Sequence, residues 1–176
     1  EGHFWEALNA VGVIQAPAVI SIWDDDYGIS VPNEFQITKK SLSEMLDGFQ
    51  RTTADRGFEL FTVRGWDYPE LIQIYKEAVS LAREEHVPCV IHVTELTQPQ
   101  GHSTSGSHER YKTQERLSWE RAHDCNLKMR EFVLGLGMIT EEELQDREKE
   151  ELAFVHALRK EAFHELQAPI REDRVQ

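Results

Sequence analysis

An α/β fold, with a parallel sheet flanked by helices and a helical carboxyl-terminal tail, is the architecture this sequence predicts. Three observations lead there. Apolar runs of strand length at 18–23, 58–63 and 88–94 are separated by segments with helical apolar spacing. The last two runs bracket one long amphipathic stretch, and that strand–helix–strand order makes the two strands parallel through a right-handed crossover. Beyond residue 112 only helical patterning remains.

Phe4, Ala7, Leu8 and Val11 recur on one helical face, which predicts a helix over 3–14 packed on a sheet. The apolar run from Ala16 to Ile22 reads as a buried parallel strand and ends in Trp23-Asp24-Asp25-Asp26-Tyr27-Gly28-Ile29-Ser30. Residues 28–37 read as extended or irregular, because Pro32 disfavours a helix start there. Ser41 and Glu44 have capping-box spacing and predict a short helix within 41–50. A second strand, 58–63, closes at Arg64-Gly65. Pro69 in a first turn and the stripe Leu71, Ile74, Tyr75, Ala78, Leu81 and Ala82 predict a helix over 68–86. The third strand, 88–94, leads into a polar Gly/Ser-rich loop over 97–111, a length at which loops are functional or mobile. Helices are expected over 113–121, 124–135 and 140–166, with Thr140 and Glu143 as a second capping box. The expected division is therefore 1–111 for the α/β part with its mobile loop, and 112–176 for the helical tail.

The 176 residues suffice for one α/β domain with a helical appendage. A formal net charge of -13 argues against nucleic acid or an anionic membrane surface as partner. The two cysteines, Cys89 and Cys125, form no CxxC pair. Cys89 lies in an apolar strand pattern, which predicts a buried free thiol and a reducing cytoplasm. No stretch is apolar enough to span a bilayer and no signal peptide opens the chain. The first residues enter a helix directly, as in a piece of a larger protein.

Three segments carry candidate chemistry: the acidic turn 24–28, the turn Val63-Arg64-Gly65-Trp66-Asp67, and the loop around His102. Each follows a strand, so all three belong at one carboxyl edge, where open α/β sheets bind ligands. The acidic turn allows two readings, a strand cap or an oxygen-rich seat for a hard cation such as Mg²⁺ beside a phosphate. His102 is placed to donate to a phosphate or move a proton near neutral pH, or is a solvated loop histidine. His108 lacks a cysteine or third histidine at ligand spacing, which excludes zinc. His92 reads as a satisfied sheet histidine, and His156 and His164 as surface residues. The hydroxyls at 103–107 have no nucleophile elbow around them. Glu141, Glu142 and Glu143 suit a helix amino terminus and need no chemistry.

These pieces, in this order, resemble a known family. Glu1-Gly-His-Phe-Trp-Glu-Ala-Leu-Asn-Ala, a strand, and Asp24-Asp25-Asp26-Tyr27-Gly28-Ile29-Ser30 resemble the second half of the thiamine diphosphate motif. The version is similar to the alpha-type portion of the decarboxylating component of 2-oxo-acid dehydrogenases, of the pyruvate and branched-chain types. Gly101-His102-Ser103-Thr104-Ser105 resembles that family's mobile loop, and residues 124–144 its helical tail. The resemblance implies part of a thiamine-diphosphate-binding fold, with thiamine diphosphate and Mg²⁺ as cofactors. It puts Asp25 and the carbonyl of Tyr27 on the metal, Ile29 beside the cofactor rings, and His102 on the diphosphate side as the catalytic loop histidine. Ser103 matches a position that animal relatives phosphorylate.

The implied partners are a beta-type half (separate or fused), the lipoyl domain of an acyltransferase component, and a small 2-oxo acid. The implied assembly is an αβ heterotetramer or a dimer of fused chains. The chain departs from the pattern at Trp23, at Asp24-Asp25 in place of paired asparagines, and at Gln98 in place of an arginine. The acidic glycine turn that opens the motif would precede Glu1. An added charge beside a diphosphate weakens cofactor binding unless a nearby cation compensates. Those departures also raise a second reading, a non-catalytic assembly or regulatory module on the same fold.

Overall fold

The computed structural model describes residues 2–102 and 107–173; Ser103, Thr104 and Ser105, expected in the mobile loop, lie outside the described residues. The chain forms two compact units, Glu1–Arg130 and Glu131–Gln176.

The first unit is built on a three-stranded parallel sheet of β1 (Val19–Trp23), β5 (Cys89–Thr94) and β4 (Glu59–Arg64), in the order β1-β5-β4. The register aligns Cys89 with both Val19 and Glu59, and Val93 with both Trp23 and Val63. β5 is central and carries the apolar run, and its first five residues are buried. A strand covered on both faces needs such a continuous run. Cys89, Ile91 and Val93 face one way, into a cluster with Val63 and the α3 (Tyr68–Ser80) residues Leu71, Ile74, Tyr75 and Ala78. Val90 faces the other way, into a cluster with Leu8 of α1 (Gly2–Ile14), Leu46 of α2 (Leu42–Leu46) and Phe58.

The helices form where the apolar spacing predicts them, with local differences. On α1, Ala7 is exposed and Trp5 packs toward the core in its place. Ser41 caps α2 in position, but its side chain makes no cap hydrogen bond. The helix expected over 68–86 starts with Asp67 accepting from the Glu70 amide and ends in a π turn, Leu81–Glu85. His86 then takes a left-handed conformation with φ 56°. The irregular segment after β1 contains a small hairpin, β2 (Tyr27–Gly28) with β3 (Val31–Pro32). Past the loop, α4 (Gln114–Ala122) starts from a Thr113 hydroxyl that accepts from the Arg116 amide. α5 (Cys125–Gly135) follows.

The second unit is dominated by α6 (Glu141–Asp173). Its predicted capping box is formed: Thr140 Oγ1 accepts from the Glu143 amide at 3.2 Å, and Glu143 Oε2 accepts from the Thr140 amide at 2.9 Å. Two otherwise orphaned helix-terminal donors are thereby satisfied. His156 and His164 lie exposed on this helix. No described helix is long and apolar enough to cross a membrane.

Candidate functional site

Parallel strands in this register end abreast, with Trp23, Val93 and Val63 in one row. The acidic turn, the Arg64-Gly65 turn and the segment toward His102 therefore leave the same carboxyl edge, as the strand order implies. Backbone bonds lace the three exits together. The Asp24 amide donates to the Val93 carbonyl at 2.8 Å, and the Leu96 amide to the Asp24 carbonyl at 3.2 Å. The Gly65 amide donates to the Thr94 carbonyl at 2.8 Å. A Cβ on Gly65 would fall 2.3 Å from Leu96 Cδ2, so a larger residue there would push the Leu96 side chain aside. Trp66 Nε1 donates to Glu95 Oε2 at 2.9 Å, and Arg64 pairs with the same carboxylate at 3.4 Å.

The three consecutive acids point to different places. Asp24 turns inward: Oδ1 accepts from the Asp26 amide and from Asn33 Nδ2, both at 2.8 Å, and Oδ2 faces His92 Nε2 at 3.0 Å. Burial alone would raise the Asp24 pKa, but the bonds from His92, the Asp26 amide and Asn33 outweigh it and hold the carboxyl below its ordinary value. The other nitrogen of His92, Nδ1, lies 2.6 Å from Ser43 Oγ, which lies 3.1 Å from Thr62 Oγ1. His92 is buried with both ring nitrogens engaged, as expected of a satisfied sheet histidine.

Asp25 is half-buried, and its Oδ1 accepts from the Tyr27 amide at 3.2 Å. Asp26, in the left-handed region at φ 68°, reaches outward to α4. Its Oδ2 accepts from Arg116 Nη1 at 2.6 Å, and the Asp25 carbonyl accepts from Arg116 Nη2 at 3.0 Å. Arg116 Nε donates to Glu120 Oε1 at 2.8 Å, and the same oxygen accepts from Lys112 Nζ at 2.7 Å. Burial opposes the Arg116 charge, and the carboxylates of Glu120 and Asp26 more than offset it, so its pKa rises. Lys112 Nζ also sits 4.8 Å from the centre of the Tyr27 ring, and the Arg116 guanidinium 5.4 Å from it. Burial, its largest influence, raises the Tyr27 pKa.

Sequence reasoning missed this cationic hub entirely. Its only local signal is two basic residues at 112 and 116, which read as ordinary solvated charges.

Ile29 stands exposed at φ 62°, next to the hairpin. His102 is exposed. Its neighbour Gly101, at φ 70°, leaves room for the His108 side chain and the Tyr111 hydroxyl, and a Cβ there would lie 3.1 Å from His108 Cβ. Cys89 is a buried free thiol, and burial pushes its pKa up to about 11.

The oxygens of Asp25 and the Tyr27 carbonyl suit a hard cation, but among the described residues no cluster of three or more acidic, histidine or cysteine side chains could hold one unaided. That set fits Mg²⁺ in its usual mode, in which one or two protein oxygens are completed by phosphate oxygens and water.

The chain is 26% identical over 162 residues to the 2-oxoisovalerate dehydrogenase subunit alpha of Bacillus subtilis (strain 168), covering 92% of this chain and 47% of that protein. It is 24% identical over 149 residues to the pyruvate dehydrogenase E1 component subunit alpha of Rickettsia typhi, covering 85% and 43%. To the same-named subunit of Staphylococcus aureus (strain Mu50) it is 28% identical over 165 residues, covering 92% and 42%. The chain thus spans a little under half the length of the curated relatives it matches. The family model described as dehydrogenase E1 component matches residues 1–171, nearly the whole chain, and the chain belongs to that family.

Proposed function

We propose that this chain is the carboxyl-terminal part of the alpha-type portion of a decarboxylating 2-oxo-acid dehydrogenase, carrying half of a site for thiamine diphosphate and Mg²⁺. The observation that supports it most is the family match across residues 1–171, joined to three strand exits laced at one sheet edge. The other half of the site comes from a beta-type partner, separate or fused, and the assembly is an αβ heterotetramer or a dimer of fused chains. The whole enzyme decarboxylates a small 2-oxo acid, of the pyruvate or branched-chain type, and passes the acyl group to a lipoyl carrier. We place it in the cytoplasm, where a buried thiol such as Cys89 stays reduced.

In this reading Asp25 and the Tyr27 carbonyl hold Mg²⁺, and Ile29 lies against the cofactor rings. His102 donates to the diphosphate side and attends the transfer to lipoate as the catalytic loop histidine. Thiamine diphosphate, when bound, supplies the electron sink for decarboxylation. The protein contributes position and charge. Asp24 is turned inward, where His92 and Asn33 hydrogen-bond its carboxylate. Asp26 is neutralised by Arg116. Arg116 is thereby a cation close to the Asp24-Asp25 pair that stands in place of asparagines.

Calorimetry on the full chain with its partner half, titrated with thiamine diphosphate and Mg²⁺, tests the assignment. Binding that weakens at least tenfold in Asp25→Ala is expected. No binding, or binding indifferent to that substitution, defeats it. Binding without turnover of straight-chain or branched 2-oxo acids would instead favour the non-catalytic module.

A further inference from the structure

Arg116 spends three nitrogens on three separate acceptors. Nε holds Glu120 Oε1, Nη1 holds the Asp26 carboxylate, and Nη2 holds the backbone carbonyl of Asp25. Such a fixed fork of donors is available to arginine and not to lysine. Two of these acceptors belong to the acidic turn, about ninety residues earlier in the chain. The third is also the seat of Lys112, whose side chain is 1% exposed against 3% for Glu120. Lys112 closes the segment Ser107–Lys112, which contains a short 3-10 turn, His108–Arg110, and brings Tyr111 against Tyr27 at 5.8 Å between ring centres. Turn and segment thus meet at one buried carboxylate.

Burial makes the centre of the hub costly to break. Glu120 Oε2 is buried without a hydrogen-bond partner among the described residues, so the carboxylate depends on Lys112 and Arg116 for its stabilisation. Removing either cation leaves a buried charge under-paired. Asp26 needs the same contact for a second reason. Its left-handed backbone at φ 68° is uncommon for a residue other than glycine. Arg116 fixes the peptide before it and the carboxylate on it.

We propose that Arg116 is a positioning residue that couples the acidic turn to the segment Ser107–Lys112, so that the two order and loosen together. The coupling is a property of the chain itself. Its consequence for Mg²⁺ and the diphosphate rests on the function proposed above, because Arg116 then sets the conformation of the two peptides that carry the Asp25 and Tyr27 ligands.

Hydrogen–deuterium exchange on the full chain with its partner half, without ligand, reads the coupling directly. In Arg116→Gln, exchange in peptides covering 24–33 and 107–113 is expected to rise together, by about tenfold or more. Arg116→Lys, which keeps the charge but loses the fork, should give an intermediate rise in both. Asp26→Asn is the safeguard against misfolding, since that side chain is 48% exposed. It should loosen both peptides while leaving exchange in β5 unchanged. A rise confined to α4, or to only one of the two peptides in Asp26→Asn, overturns the proposal. Adding thiamine diphosphate with Mg²⁺ should protect both peptides in the wild type and protect them less in Arg116→Gln. Failure of the wild type to be protected counts against the cofactor reading, while the unliganded comparison still decides the coupling.

Discussion

His92 Nε2 lies 3.0 Å from Asp24 Oδ2, joining the central strand to the first residue of the acidic turn. The strand register brings it about: Ile22 pairs with His92, and Asp24 follows two residues on. From His92 the bonds continue through Ser43 on α2 to Thr62 on β4. With the Nε2–H tautomer, His92 donates to Asp24 and accepts from Ser43, which in turn accepts from Thr62.

His92→Leu should therefore cost more than the loss of one hydrogen bond. It leaves the Asp24 carboxylate half-buried without its inner donor and Ser43 without its acceptor. A loss of about 2–4 kcal/mol in unfolding free energy is expected, measured by urea denaturation of the full chain. A loss under about 1 kcal/mol would show that Asn33 and the Asp26 amide suffice for Asp24.

Lys112→Met tests the hub from its other side. The Glu120 carboxylate, 3% exposed, would lose one of its two cations. Breaking a buried pair from one side costs about 3–5 kcal/mol. The double variant Lys112→Met with Glu120→Leu should recover part of that loss, because no buried charge remains unpaired. Denaturant midpoints of the two variants decide between these outcomes.

The Cys89 thiol gives an alkaline signature. Its pKa in the folded chain is raised by burial, and secondarily by Glu59, from 9.0 to about 11. The folded state thus holds the proton more tightly than the unfolded one. Its stabilising effect is complete below 9.0 and fades as pH rises through about 11. Stability should fall over that interval in the wild type and fall less steeply in Cys89→Ala. Equal slopes would remove the thiol as the cause.

Two glycines make a matched pair. A Cβ at Gly57 would meet the Phe49 carbonyl oxygen at 2.4 Å and the Arg51 nitrogen at 2.7 Å, both backbone atoms. At Gly48 nothing lies within 4 Å. Gly57→Ala should destabilise by about 1–3 kcal/mol through forced backbone movement, and Gly48→Ala by less than about 0.5 kcal/mol. Thermal melting of both variants, run side by side, checks the contrast.

Much of this was readable in the chain. The apolar run of β5 announced a strand covered on both faces, and the stripe from Leu71 to Ala82 announced α3, because burial imposes its period on sequence. The common edge followed from strand order alone. The Arg116–Asp26 bond did not, since it joins residues ninety apart and its members look like ordinary solvated charges in an acidic chain. The His92–Asp24 bond needed the register, which hydrophobic pattern fixes only to a face and not to a partner. Ser41 shows the opposite failure: it stands at the cap position with Glu44 three residues on, yet its side chain makes no cap bond. Spacing permits such a bond without compelling it.

Three aspartates in succession suggest a concentrated negative patch, yet the fold disperses them. Asp24 faces a histidine on the neighbouring strand, Asp26 an arginine on a distant helix, and Asp25 accepts from the Tyr27 amide. An ion diffusing toward this edge consequently meets fewer uncompensated charges than the sequence suggests, because Arg116 offsets Asp26. The electrostatic valence of the turn is set by where its neighbours sit, and a count of acids along the backbone overstates it.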